Sequence, residues 1–291
     1  MKQDLRVLLA DKLEPQELKL IYKSYDIVGD IAVIRVPEPL KERNKIIAEA
    51  VMQTHKSIKT VWRQANPVSG DFRLRDLEFV LGERKTETLH KEHDCTFKVD
   101  LEKCYFSPRL SYERMRIARQ IQPDEVILNM FAGVGCYSIV IAKHSKSKKI
   151  FSIDINPFAI QYMQENIKLN KVEEKVIPVQ EDAKKVIEER LQNVADRVLM
   201  PLPEKAYEYL DYALLALKPT GGRIHYYDSE HAKKGEDLIE KIELKVSKKL
   251  QMLGVDFQVV FGRIARTTGP NWFQVVLDIR VNKTSSQPNL L

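Results

Sequence analysis

Two segments constrain this chain more than anything else in it: Glu125-Val-Ile-Leu-Asn-Met-Phe-Ala-Gly-Val-Gly135 and Phe151-Ser-Ile-Asp-Ile-Asn-Pro157. One apolar run ends in two glycines separated by a single residue. A second ends in an acid 19 positions after Gly135. Strand, glycine turn, helix and a second strand closing on a carboxylate form the nucleoside-binding crevice of an α/β sheet. Gly133 and Gly135 let backbone approach a ligand with no Cβ between. Asp154 is placed to accept hydrogen bonds from a ribose diol.

From Glu125 onward strand and helix patterns alternate. Strands are expected at 125–130, 149–154, 176–179, 197–200 and 223–227, and helices at 136–143, 157–171, 182–192 and 204–217. Pro157 suits a first helical turn, where its missing N–H is not needed. Ile160, Met163, Ile167 and Leu169 fall close to one apolar face of that helix. A charged helix over 231–253 stops at Gly254, and strands at 255–265 and 273–281 meet at a turn around Thr268-Gly-Pro-Asn271. The pattern predicts a mostly parallel, seven-stranded, Rossmann-like sheet with one antiparallel member.

The first 100 residues read differently. Residues 26–36 alternate as one or two strands around a glycine turn, 42–55 form an amphipathic helix, and 72–75, 78–81 and 96–99 are short strands. This is a small α+β domain, with a linker near Tyr105 to Ser111. The expected division is an extension over 1–24, the small domain over 25–104, the α/β domain over 105–282 and a polar, frayed tail over 283–291.

At 291 residues and 44% hydrophobic content the chain can bury both cores. No apolar run approaches the ~20 residues that span a bilayer, and Met1-Lys-Gln-Asp-Leu-Arg does not begin a secretory leader. Cys95, Cys104 and Cys136 are unpatterned, which fits small buried hydrophobes in a reducing, cytoplasmic compartment. His90 and His93 lack further ligands at metal-binding spacing. The net charge of +6 permits nucleic-acid binding without requiring it. Arg114, Arg116 and Arg119, or Lys143, Lys146, Lys148 and Lys149, could track phosphates or simply be solvated faces.

The crevice itself admits NAD or S-adenosylmethionine. A dinucleotide fingerprint places a third glycine where this chain has Ser138, which disfavours NAD. Glu181-Asp182 follows the third strand, where such folds often set an acid near the adenine amine. Met200-Pro-Leu-Pro203 ends the fourth strand and forms a rigid rim. Helix caps and strand ends would also account for these residues, but their order favours the methyl donor.

The run Val99-Asp-Leu-Glu-Lys-Cys-Tyr-Phe-Ser-Pro-Arg-Leu-Ser-Tyr-Glu-Arg114, with Asn129–Gly135, Ser152–Pro157, Glu165–Asn170 and Gly221–Tyr227, closely resembles the archaeal and eukaryotic tRNA (guanine-37 N1)-methyltransferases. The likeness runs from about Asp26 to Val281. It is shared with wyosine-pathway relatives and includes Ser69–Arg75 and Glu87–His93 of the small domain. It implies a class I methyltransferase domain, S-adenosylmethionine as donor, the tRNA anticodon loop as partner and a monomer. Glu113 would be the general base, Arg73 the group that stabilises O6, Tyr105 a wall of the pocket and Arg109 the next member. The donor pocket would comprise Asn129, Phe131, Ala132, Gly133, Gly135, Asp154, Ile155, Asn156, Asp182, Pro201 and Pro203. By its spacing alone, a carboxylate four residues after Arg109 would equally be a surface ion pair.

The sequence departs from the family at two places. The fourth strand usually ends Asn-Leu-Pro, with the amide contacting the target base, and Pro201 holds that place here. Asn129 stands where aspartate is usual. About 20 residues precede the likeness, too few for the domain with which many archaeal members grip the tRNA elbow. Binding would then rest on residues 20–100 and the basic surface, with a steep salt dependence. The alternatives are methylation of the tricyclic wyosine base, aminocarboxypropyl transfer to it, a tRNA-binding relative without catalysis, and an NAD dehydrogenase. Trp272 and Phe273 are expected in strand core, and Arg266 in the loop before them is expected to meet phosphate.

Overall fold

The computed structural model describes residues 5–22, 24–68, 70–233 and 235–282. They form two compact units divided between Arg109 and Leu110, within the expected linker and later than the expected 104/105 boundary. The tail over 283–291 lies outside the described residues.

In the first unit, helices α1 (Leu5–Leu8), α2 (Pro15–Leu20) and α3 (Asn44–Thr54) accompany a four-stranded sheet. Its strands are β1 (Asp26–Val28), β2 (Ile31–Ile34), β3 (Thr60–Gln64) and β4 (Leu77–Gly82), in that spatial order. Leu5, Leu9, Leu13 and Ile21 are buried with Ile34, Ile47, Val51 and Val61. Residues 5–21 are therefore part of this core and not an extension beside it, because leucines spaced by four put one apolar edge inward. β3 was not anticipated: four consecutive buried residues carry no alternation. β5 (Glu87–Glu92) and β6 (Cys95–Asp100) make a separate hairpin. The strand expected at 72–75 is a turn instead, with Arg73 at φ +53°.

The second unit opens with α4 (Ser111–Ala118). It continues through β7 (Val126–Asn129), α5 (Cys136–His144), β8 (Lys149–Asp154), α6 (Pro157–Asn170), β9 (Val176–Gln180) and α7 (Ala183–Arg190). Then come β10 (Arg197–Met200), α8 (Pro203–Ala206), α9 (Leu210–Ala216), β11 (Gly222–His231), α10 (Leu238–Met252), β12 (Phe257–Gly269) and β13 (Trp272–Val281). The sheet order is β12-β13-β11-β10-β7-β8-β9. β13 runs antiparallel to both neighbours and the other strands share one direction. This is the predicted mostly parallel, seven-stranded sheet.

Three local expectations are corrected. The helix expected over 204–217 is broken into α8 and α9. β11 continues to His231 because β13 pairs with it over its whole length, so α10 starts only at Leu238. There the Asp237 side chain caps the N–H groups of Ile239 and Glu240. Leu169 is half exposed and leaves the buried face that Ile160, Met163 and Ile167 keep.

Candidate active site

The order of the parallel strands reverses direction around β7 and β10, and their carboxyl ends are where an α/β sheet gathers a ligand. Beyond β7 the chain turns through Gly133 at φ +55° and Gly135 at φ +90°. A Cβ on Gly135 would lie 2.8 Å from Cγ of Met163, so α6 packs directly on the turn. Asp154 ends β8 and is held by backbone: Gly133 N–H donates to Oδ2 at 2.7 Å and Asn156 N–H to Oδ1 at 2.9 Å. Burial raises the Asp154 carboxyl above its ordinary range, against those two donors. Asn156 caps α6 through Phe158 N–H, and Ile155, between Asp154 and Asn156, stands exposed.

Ser138 explains why a dinucleotide fingerprint does not fit. Its hydroxyl is fully buried, accepts from Asn129 Nδ2 at 3.1 Å and receives Ser152 Oγ at 2.7 Å. It pins α5 to β7 and β8 where a third glycine would let helix and strand close further. Asn129 keeps its Oδ1 buried with no hydrogen-bond partner. Ala132 is buried, and Phe131 is half-buried and meets Tyr209 edge-on at 5.1 Å. Asp182 is engaged on both oxygens. Oδ1 caps Lys184 N–H and Oδ2 takes the Tyr209 hydroxyl at 2.8 Å, so it anchors the Phe131–Tyr209 wall. Pro201 is half-buried on the rim, and buried Pro203 begins α8.

Glu113 sits in the first turn of α4 and is only 2% exposed. Arg116 grips it with Nε to Oε2 at 2.9 Å and Nη2 to Oε1 at 2.7 Å, and the Tyr227 hydroxyl donates to Oε1 at 2.9 Å. The pair forms at i+3 within α4, not with Arg109 on a surface. Arg116 turns its other edge to Asp278, with Nη1 to Oδ2 at 2.6 Å and Nη2 to Oδ1 at 2.9 Å. Asp278 also meets His225 Nδ1 at 2.6 Å, and His225 Nε2 meets Arg197 Nη1 at 2.7 Å. Arg197 can only donate, so Nε2 accepts and the proton resides on Nδ1. Fully buried Arg197 ends the chain on both oxygens of Glu125.

The electrostatics follow from this arrangement. Burial opposes ionisation of Asp278, yet bonds from Arg116 and His225 hold its carboxyl far below the usual range. Burial keeps His225 neutral by lowering its imidazole, against the pull of Asp278. Burial also lifts the Tyr227 phenol, so it remains a donor to Glu113. Among these groups the sequence pointed only to Glu113, with Arg116 noted in a charge cluster. Asp278 did leave a signal: an acid set between Val275-Val-Leu277 and Ile279 of an apolar strand.

The remaining candidates belong to the first unit. The guanidinium of Arg73 lies over the Tyr105 ring at 4.7 Å. Arg109 donates through Nε to Oδ1 of Asp26 at 2.7 Å, while Arg75 takes Oδ2 at 2.9 Å. Burial works to raise Asp26, but the two arginines hold it low. Arg109 thus locks β1 to the segment after β6. Two further expectations change: Trp272 is half exposed, edge-on to His231, and not in strand core. Arg266 lies within β12, where its Nε donates to Gln274, and not in a loop.

Residues 88–254 match the TRM5/TYW2 methyltransferase domain and residues 5–86 the TYW2 N-terminal domain. The chain belongs to the TRM5/TYW2 family. It is 39% identical over 269 residues to the tRNA (guanine(37)-N(1))-methyltransferase Trm5b of Pyrococcus abyssi, covering 92% of this chain and 78% of that protein. It is 40% identical over 268 residues to the tRNA 4-demethylwyosine(37)-methyltransferase Taw21 of Saccharolobus solfataricus, covering 92% of this chain and 97% of that one. The crystal structure of P. horikoshii TYW2 in complex with MeSAdo superposes with a TM-score of 0.77 at 29% identity, covering 96% of this chain and 98% of that one. Family members of this kind therefore share both units of the chain.

Proposed function

We propose that the protein transfers a methyl group from S-adenosylmethionine to N1 of guanosine 37 in the anticodon loop of tRNA. The observation that carries this reading is the pairing, within one unit, of a backbone-held Asp154 at a glycine turn with a buried carboxylate at Glu113. The turn, Asp154 and the unpartnered Oδ1 of Asn129 suit a cationic nucleoside donor. When bound, that donor supplies an electrophilic methyl group. Asp154 would hold the ribose hydroxyls, and Phe131, backed by Tyr209 and Asp182, would wall the adenine.

Guanine N1 carries a proton, so methylation needs a base, and charge building on O6 needs a cation or donor. Glu113 takes the proton, and Arg73, stacked on Tyr105, serves O6. Three hydrogen bonds occupy the Glu113 carboxylate, so one of them yields to N1–H. The neutral Tyr227 hydroxyl is easier to displace than the charge-assisted bonds of Arg116. Base 37 lies in a single-stranded loop, where extrusion costs little. The test is single-turnover transfer by Glu113→Gln across a pH range. Retention of the wild-type rate and pH profile would remove Glu113 as the base.

A second reading is methylation of 4-demethylwyosine at the same position. Pro201 favours it, since proline offers no amide to the target base, as does the 40% identity to Taw21. Mass spectrometry of tRNA carrying guanosine or 4-demethylwyosine at position 37 separates the two. The buried positions of Cys95, Cys104 and Cys136 fit a reducing, cytoplasmic setting, and the reading takes the chain as a monomer.

A further inference from the structure

We propose that the seam between α4 and β12 is a docking surface for single-stranded RNA, holding the nucleotides that flank the methylated base. Tyr112, Arg116 and Arg119 recur at i, i+4 and i+7, so they share one face of α4. That face meets β12 through two cation–aromatic pairs. Arg263 covers the Tyr112 ring at 4.7 Å, and Arg116 covers the Phe261 ring at 4.8 Å. The aromatic partners remain open to solvent, with Tyr112 65% and Phe261 42% exposed. The acids of the seam add little open negative surface, since Glu113 and Asp278 are 2% and 3% exposed and both are paired with Arg116. What the seam presents is therefore cationic and aromatic.

That combination suits RNA. Unpaired bases stack on an aromatic or guanidinium face whatever their identity, and arginine meets the phosphates between them. β12 is the edge strand of the sheet, and its register shifts at Val259/Phe261, Ile264/Arg266 and Thr267/Gly269 blunt it against pairing with a second strand. This disfavours a second copy of the chain as the occupant. The seam also reaches the chemistry: Arg263 Nη1 lies 3.8 Å from Oε2 of Glu113. A nucleotide stacked on Tyr112 is next in line to one whose edge is presented to Glu113.

The inference rests on tRNA being the substrate, but it is tested by binding and not by turnover. The probe is a fluorescent anticodon stem-loop RNA, with affinity read by anisotropy in the absence of methyl donor. Tyr112→Ala is expected to weaken binding roughly tenfold, and Tyr112→Phe to restore it. Arg263→Gln is expected to reduce the slope of log affinity against log salt by about 0.7. Tyr112 is exposed, so both its variants are expected to melt as wild type, which a calorimetric scan checks. Wild-type affinity in Tyr112→Ala with an unchanged salt slope in Arg263→Gln would overturn the proposal. So would a change in sedimentation of Tyr112→Ala without any loss of RNA affinity, which would make the seam a self-association face. A failure of Glu113 as base would appear only in turnover, so the two claims fall separately.

Discussion

The glycine turn with Asp154 and the cluster around Glu113 are both acidic sites in the same unit, built in opposite ways. The first is made by backbone: two N–H groups within three residues of the glycines or the acid orient a carboxylate that stays partly open. The second is made by side chains from α4, β10, β11 and β13, which neutralise one another out of water. A backbone-built site can lose its ligand with little loss of fold. A cluster of buried ions cannot lose a member without exposing its partner's charge, so function and stability are coupled there.

Substitutions should separate the two regions. Glu113→Gln should have the largest effect, lowering the single-turnover rate about 10²–10⁴-fold, with donor affinity by calorimetry unchanged. Arg116→Met should follow. It leaves buried Glu113 and Asp278 without the guanidinium that bridges them, and should cost about 3–5 kcal/mol in chemical denaturation. Gly135→Ala acts on the other region. At φ +90° with Met163 in the way it should cost about 1–3 kcal/mol and weaken donor binding more than it disturbs Glu113. If Gly135→Ala shifted the pH profile of the reaction, the regions would not be separable.

The smallest effect near neutral pH is a two-step acid sensitivity to which the cluster contributes both steps. His225 is held neutral in the fold, so as pH falls below about 6.5 the unfolded chain takes up a proton that the folded one refuses. Stability then declines, by at most about 1.4 kcal/mol per pH unit. Asp278 is held ionised, so its contribution is complete above about 3.9 and is lost as pH falls further toward its depressed folded value. Denaturation measured from pH 8 to pH 3 should show both segments. His225→Gln should remove the upper one, and Asp278→Asn should reduce the lower, to which Asp26 also contributes. A single transition unaffected by either variant would mean the cluster is not ionised as described.

The contrast also governs what could be read from the sequence. The turn at Gly133 and Gly135, Asp154, Asn156 and Pro157 lie within one strand–turn–helix–strand unit, so their spacing carried the geometry. β7 to β11 were recognisable for the same reason. Arg197, His225, Asp278 and Arg116 come together only when β10, β11, β13 and α4 pack, and no local pattern reports that. β3 leaves no alternating pattern because it is buried on both faces, and residues 72–75 read as a strand because the turn at Arg73 depends on a positive φ that side-chain pattern does not encode. Asp182 follows β9, where the sequence pattern expects an adenine contact, and its oxygens take the Lys184 N–H of α7 and the Tyr209 hydroxyl.

Nucleoside analysis of tRNA after incubation with S-adenosylmethionine tests the proposed activity most directly. Transcripts bearing guanosine 37 are compared with transcripts bearing another base there and with tRNA carrying 4-demethylwyosine. 1-Methylguanosine is expected in the first, formed by wild type and lost in Glu113→Gln, and none in the second. Methylation of 4-demethylwyosine alone, with guanosine 37 untouched, would contradict it and transfer the site to the second reading.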